Sequence, residues 1–409
     1  METQAILSFD NTKTAFAYKS NTELKEAYRL FSLMANSWLV TLGTALTPWA
    51  IKSGLPVKGV IRKTIFKQFV GGESLQEVTG VAQKLAKYNV QVILDYGVEG
   101  KESEEEFDKA KDEFIRVINY ASTQPNIPYM SVKVTGLARH SLLEKLHALM
   151  QTTEALPLIK RYDRAIQQLS NEELNEWQKV HQRVRSICDI SSEKNIGMMI
   201  DAEESWVQDP VDAITMLMMK EYNKGRLVIF NTIQLYRHDR LEFLKKSEEA
   251  AREHNFTLGV KLVRGAYMEK ERERATEKGY TSPIQTDKTA TDEDYNKAVK
   301  FCIQNIDHVG VVIASHNEYS NMLAVKLMEQ KGLPFDHPYV HFSQLYGMSD
   351  HITFNLALAG CAVSKYLPFG PIEDVVPYLM RRAEENTSVK GQTSRELNLI
   401  KKEIERRGM

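Results

Sequence analysis

Cysteine is scarce in this 409-residue chain, with three residues, Cys188, Cys302 and Cys361, far apart and without a CxxC pair. That count excludes a disulfide framework and a cysteine zinc site, and it suits a reducing compartment. Net charge is nearly absent at −1, so no basic surface is present for nucleic acid or for general binding to an anionic bilayer. No GxGxxG follows any strand-like run, which removes the dinucleotide fingerprint of a doubly wound sheet. The sequence has no GxSxG nucleophile elbow and no HxH or HExxH spacing to present paired imidazoles to a metal. Its first residues, METQAILSFDNTKTAF, lack the basic head and apolar core of a signal peptide. They are also too acidic and arginine-poor for a transit peptide, so a cytoplasmic location is expected. Leu30–Ile51 has no charge over 22 positions, but Asn36, several hydroxyls and Pro48 interrupt it. It reads as helix packed on the protein, with a membrane-associated segment as the alternative. Internal repeats and low-complexity linkers are missing as well.

What is present is an ordinary globular composition, 43% hydrophobic and 26% charged, on a chain long enough to bury a large core. Residues 1 to about 88 read as a helical region, in which Ser74 and Glu77 have the spacing of a capping box. From about residue 89 to 409, eight short apolar runs alternate with helix-like segments. The runs are Val90–Tyr96, Met130–Gly136, Ile196–Ala202, Leu227–Leu235, Leu258–Val263, Val309–Ala314, Tyr339–Phe342 and Ala362–Leu367. Near-continuous apolar strands separated by helices call for a parallel sheet, and eight repeats make an α/β fold of the (β/α)8 barrel type the leading architecture. Residues 138–170 form an insertion, after which Ser170 and Glu173 offer a second capping box. Met268–Thr291 is a charged excursion after the fifth strand.

Barrel active sites are built at the carboxyl ends of strands, and here every end carries polar residues. In order they are Asp95 and Glu99; Lys133; Asp201, Glu203 and Glu204; Gln234; Lys261, Arg264 and Tyr267; Ser315, His316 and Asn317; Gln344; and Tyr366. Asp201, Glu203 and His316 are a candidate metal set. Lys133 is a candidate Schiff-base lysine, as in barrel aldolases. Lys261, Arg264 and Lys288, with the Gly265-Ala266 backbone, suit a phosphate or diphosphate. Past the eighth strand, Tyr378, Arg381, Arg382 and Glu385 fall at i, i+3, i+4 and i+7, on one helical face. Adjacent guanidiniums suit a carboxylate ligand, and a solvated Arg/Glu stripe is the structural alternative.

The motifs KLVRGAY (261–267), IDAEE (200–204), ASHN (314–317), QLYGM (344–348) and KYLPFGPIEDVVPYLMRRAEEN (365–386) together resemble proline dehydrogenase. The likeness runs from about Phe69 to the C-terminus and is to the monofunctional, mitochondrial-like type. The resemblance implies a distorted barrel with FAD at its mouth. It also implies oxidation of L-proline to Δ1-pyrroline-5-carboxylate by hydride transfer to flavin N5, with electrons passed to a membrane quinone. That would give the uncharged Leu30–Ile51 stretch a role at a bilayer, peripheral on the inner face of the respiratory membrane.

Residue by residue, Lys133, Tyr366, Tyr378, Arg381 and Arg382 match substrate-binding positions. Leu262 matches an apolar residue against the proline ring, and Glu99 an acid that pairs with the substrate arginine. Asp201 matches the aspartate supporting the lysine and the flavin pocket. Gln234, Lys261, Arg264, Gly265, Ala266, Tyr267, Lys288, Ser315, His316, Asn317, Gln344 and Glu385 are expected at or beside FAD. Lys261 departs from many bacterial relatives, which have arginine near flavin N5, and Met268 stands where those relatives have tryptophan. In hydroxyproline dehydrogenases of the same fold the position of Tyr366 is typically serine. Tyrosine here therefore implies proline over 4-hydroxyproline, which with a Lys133 lyase or a non-catalytic flavin-binding barrel completes the alternatives.

Overall fold

A computed structural model describes residues 7–35, 58–97, 101–153, 155–388 and 390–409, with side chains throughout except residues 383–393. Glu99, the Glu385 side chain and the uncharged stretch from residue 36 onward lie outside the described residues. Eight parallel strands form a closed barrel in sequence order. They are β1 (Gln91–Tyr96), β2 (Tyr129–Val132), β3 (Gly197–Ile200), β4 (Ile229–Gln234), β5 (Leu258–Val263), β6 (Val309–Ala314), β7 (Val340–Leu345) and β8 (Val363–Phe369). The (β/α)8 architecture expected from the alternation is the fold.

Several strand ends differ from the apolar runs: β2, β3 and β4 stop earlier, and β7 and β8 run on. β2 stops at Val132, and Val134–Gly136 form a 3-10 turn whose Thr135 is held by Glu203, a partner that local hydrophobicity does not reveal. β8 runs on through Pro368 and Phe369, two residues past its apolar run. Pro368 lies opposite Asp95 of β1, and its carbonyl accepts from the Gly71 amide at 2.8 Å. The chain turns at Gly370, whose φ of +140° suits glycine.

Residues 1–97, 316–321 and 342–409 make one compact unit. Ser20 and Glu23 form a complete capping box that opens the helix Asn21–Met34. At Leu75–Ala86 the expected box is half made. Ser74 accepts from the Glu77 amide, but the Glu77 carboxylate takes the Glu73 amide at 3.0 Å instead. Phe16, Leu24 and Phe31 share a core with Phe69, Val375, Leu379, Leu399 and Ile400, each large side chain stabilising by roughly 1.5–3 kcal/mol. Helix Ile372–Ser388, which carries the arginine pair, is thus packed by residues from both ends of the chain. Arg407 adds to this by donating to the carbonyls of Phe16 at 2.8 Å and Lys19 at 2.9 Å. Lys365 of β8 is fully buried and paired with Asp350 at 2.9 Å, which also accepts from the Tyr18 hydroxyl at 2.7 Å.

Residues 98–315 and 322–341 make the second unit, with β2–β6 and their helices. The insertion contributes helices His140–Gln151 and Leu158–Ile166. Ser170 and Glu173 form the expected capping box for the 24-residue helix Asn171–Lys194. Helix Ser205–Tyr222 is buried almost all round. Its Asp212 is satisfied by Gln208 at 2.9 Å, Asn231 at 2.8 Å and Arg240 at 3.0 Å, as a buried carboxylate must be. Among the described residues, no helix is long and apolar enough to cross a membrane.

Candidate active site

The ends of β2, β3 and β5 bring three charged side chains together. Asp201, just past β3, is ion-paired with Lys261 of β5, and Lys133, just past β2, stands 3.9 Å away. Ser131 donates to the same carboxylate at 2.5 Å. All three charged groups are buried. Burial works to raise the Asp201 pKa, but Lys261, then Lys133, and the hydrogen bonds from Lys261 and Ser131 overcome it and hold the carboxyl below its ordinary value. The chemistry these groups suit is electrostatic: two fixed cations oriented by one anion.

Beside this cluster, Glu203 accepts from both the amide and the hydroxyl of Thr135. Its own amide donates to Gln208 at 2.9 Å, and its carbonyl accepts from the Gln234 amide at 2.7 Å. Burial pushes the Glu203 carboxyl up to about 7, opposed by the Thr135 hydroxyl and reinforced by the charge of Glu204. Glu204 itself pairs with Lys270. From sequence, Glu203 is a strand-end carboxylate and a member of the candidate metal set. Its bonding makes it the brace between the turn after Lys133 and the end of β3. Among the described residues, no group of three His, Cys, Asp or Glu side chains could hold a metal ion.

Past β5, Arg264 pairs with Asp292 at 2.6 Å, donates to Ser315 at 2.7 Å and lies 4.3 Å over the Tyr295 ring. Lys288, largely exposed, pairs with the same Asp292. Although burial works to raise it, Lys288 and Arg264 hold the Asp292 carboxyl below its ordinary value. Gly265 and Ala266 are exposed beside them, and Tyr267 and Met268 are half-buried. Gly265 has φ of +135°, and a Cβ there would meet the Tyr236 ring at 2.5 Å, so a side chain is excluded on both counts. Arginine, lysine and accessible backbone amides fit a diphosphate by their donor chemistry. Leu262 follows Lys261 on β5, on the alternate face of the strand, and is fully buried.

In the other unit, Arg382 is buried and lies 5.4 Å over the Tyr378 ring on the helix Ile372–Ser388. Arg381 and Tyr366 are half-buried. A buried guanidinium is not a solvated stripe. Gln344 is buried between Thr353, which donates at 2.8 Å, and Asn321. Asn317 caps its own helix, with its side chain accepting from the Ser320 amide at 3.0 Å. His316 contacts Ser349 at 2.8 Å.

The proline dehydrogenase family model matches residues 78–395 of this sequence. The chain belongs to the proline dehydrogenase family. It is similar to mitochondrial proline dehydrogenase 1 of Caenorhabditis elegans, with 31% identity covering 98% of this chain and 88% of that protein. It is also similar to hydroxyproline dehydrogenase of Bos taurus, with 32% identity covering 98% and 93%. Among solved structures, proline utilization A from Bdellovibrio bacteriovorus, inactivated by N-propargylglycine, superposes with a TM-score of 0.68 at 22% identity. That match covers 95% of this chain and 40% of the other, and it supports the barrel fold. As a proline dehydrogenase family member, the chain is an oxidoreductase. Overall identity is no guide to which ring it oxidises, because relatives of both substrate classes match equally well.

Proposed function

We propose that this enzyme oxidises L-proline to Δ1-pyrroline-5-carboxylate on bound FAD and delivers the electrons to a quinone. The observation that carries the reading is the buried Lys133–Asp201–Lys261 cluster at three strand ends, in a chain of this family. When bound, the flavin supplies the two-electron acceptor for conversion of the ring C–N bond to C=N. Arg264, Lys288 and the Gly265-Ala266 backbone would hold its diphosphate. Asp201 fixes the Lys261 ammonium, and a fixed positive charge favours an electron-rich reduced ring. Arg381 and Arg382 bind the substrate carboxylate, and Lys133 adds charge for the same purpose. Orientation by these groups is the protein's main contribution. We place the enzyme peripherally on a respiratory membrane, where its quinone resides. The deciding experiment is anaerobic: the purified yellow protein should bleach on addition of L-proline and recover its colour with a soluble quinone. A protein that is colourless and takes up no FAD would sink this reading.

Replacing either arginine removes a charge-assisted contact worth roughly 1.5–3 kcal/mol. Arg381→Met and Arg382→Met should each raise the proline KM about 10- to 100-fold while FAD stays bound. Unaltered KM in both would remove the carboxylate role.

Tyr366 carries the choice of proline over 4-hydroxyproline, by crowding the ring where the hydroxyl would stand. The discrimination expected is roughly 10- to 200-fold in kcat/KM. Tyr366→Ser should shrink the ratio, mainly by loss of proline activity. Equal turnover of both substrates by the unaltered enzyme would overturn the steric argument and favour the hydroxyproline reading.

A further inference from the structure

Ser349 has an unusual backbone and an unusual use for its hydroxyl. It precedes helix Asp350–Leu358 in the left-handed region, at φ 51° and ψ 41°, and is buried. Serine is strained there and glycine is not. The usual reason for serine before a helix is capping, yet the Ser349 side chain makes no cap hydrogen bond. Its Oγ lies instead 2.8 Å from His316 Nδ1, at the end of β6.

The other imidazole nitrogen fixes the proton. The Leu345 amide points at His316 Nε2 at 3.4 Å, and a backbone N–H can only donate. Nε2 must therefore carry the lone pair, and in the neutral ring the proton sits on Nδ1 and is donated to Ser349. Behind Ser349 stands the helix Lys390–Arg406. Glu396, buried on that helix, accepts from the Ser349 amide at 3.0 Å. The preceding residue, Arg395, pairs at 2.8 Å with Glu318, two positions after His316. The C-terminal helix thus grips the segment after β6 through Arg395 and the loop after β7 through Glu396. Glu396 lies one residue beyond the stretch that matches the family model.

We propose that Ser349, anchored by Glu396, is a positioning residue that holds His316 as the neutral Nδ1–H tautomer in one orientation, so that the C-terminal helix is part of the flavin site. The ligand half of this rests on the reading of His316 as a flavin-contacting residue. The tautomer half does not, and is measurable in the flavin-free protein.

The test uses the full chain labelled with 15N-histidine, with the His316 signals assigned by their loss in His316→Asn. Long-range proton–nitrogen correlations in the flavin-free protein at mildly alkaline pH should show Nδ1–H for His316. Ser349→Gly keeps the amide to Glu396 and suits the left-handed backbone, so it should fold at least as well while deleting the hydroxyl. The Leu345 contact, at 3.4 Å, is too long to hold the ring alone, so His316 should shift toward the Nε2–H form and FAD binding should weaken about five- to tenfold, the worth of one hydrogen bond. Glu396→Ala should shift both readouts the same way. An Nε2–H tautomer in the unaltered protein, or no change in Ser349→Gly, overturns the proposal. A shifted tautomer with unaltered FAD affinity overturns the positioning role for flavin. Failure of the unaltered protein to take up FAD refutes the flavin assignment instead, and leaves the tautomer to be judged on the flavin-free spectra.

Discussion

Asp201→Ala is expected to destabilise the fold by about 3–5 kcal/mol, because it leaves two buried ammoniums, Lys133 and Lys261, without the carboxylate that orients them. That is a large share of the roughly 5–15 kcal/mol by which a folded protein is stable. Urea unfolding of the purified variant measures the loss. A second variant identifies its cause. If the penalty is stranded charge, Asp201→Ala combined with Lys261→Met should recover part of the stability lost by Asp201→Ala alone, since one of the two cations is gone. A double variant that loses the sum of both single effects would show instead that the carboxylate matters through packing or through its bond from Ser131.

Glu203 should make stability fall as pH rises through the mildly acidic range up to about 7. Its carboxyl sits at about 7 in the folded chain, above the ordinary value near 4.3. The folded state therefore binds the proton more tightly than the unfolded state. The associated stability is fully present below pH 4 and is lost progressively up to about pH 7. A shift of this size corresponds to roughly 3 kcal/mol. The Thr135 hydroxyl and amide bonds persist with the charged form, so the carboxylate keeps its partners at high pH. Glu203→Gln should flatten this part of the curve. The comparison is of unfolding free energies at pH 5 and pH 8 in both proteins. Equal pH slopes would mean that Glu203 is already ionised at pH 5.

Much of the barrel was legible because buried parallel strands are written as apolar runs. β5 and β6 begin and end where those runs do. What was illegible depends on partners remote in sequence. The start of helix Ser205–Tyr222 is one such case. The Ser205 amide and hydroxyl are taken at 2.6 and 2.7 Å by Glu271, which no local capping rule connects to it. β2 ends early for a related reason, with Thr135 bent toward Glu203. At the candidate site, strand-end position sufficed to pick out Lys133, Asp201 and Lys261, because a parallel barrel puts function there. It gave no sign that Glu203 braces the turn or that Ser349 meets His316, since serine before a helix ordinarily announces a cap.

The shared core of the terminal helices bears on how the protein is made. Leu24 and Leu399 lie in one apolar cluster but are 375 residues apart in the chain. At roughly 5–20 residues per second, the ribosome needs about 20–75 s to travel between them. Throughout that interval Leu24, Phe31 and their neighbours have no finished surface to pack on, and β1 lacks the β8 partner it pairs with. Such nascent chains are natural clients for a chaperone. The helix carrying Arg381 and Arg382 is then packed only after Leu399 and Ile400 have been made.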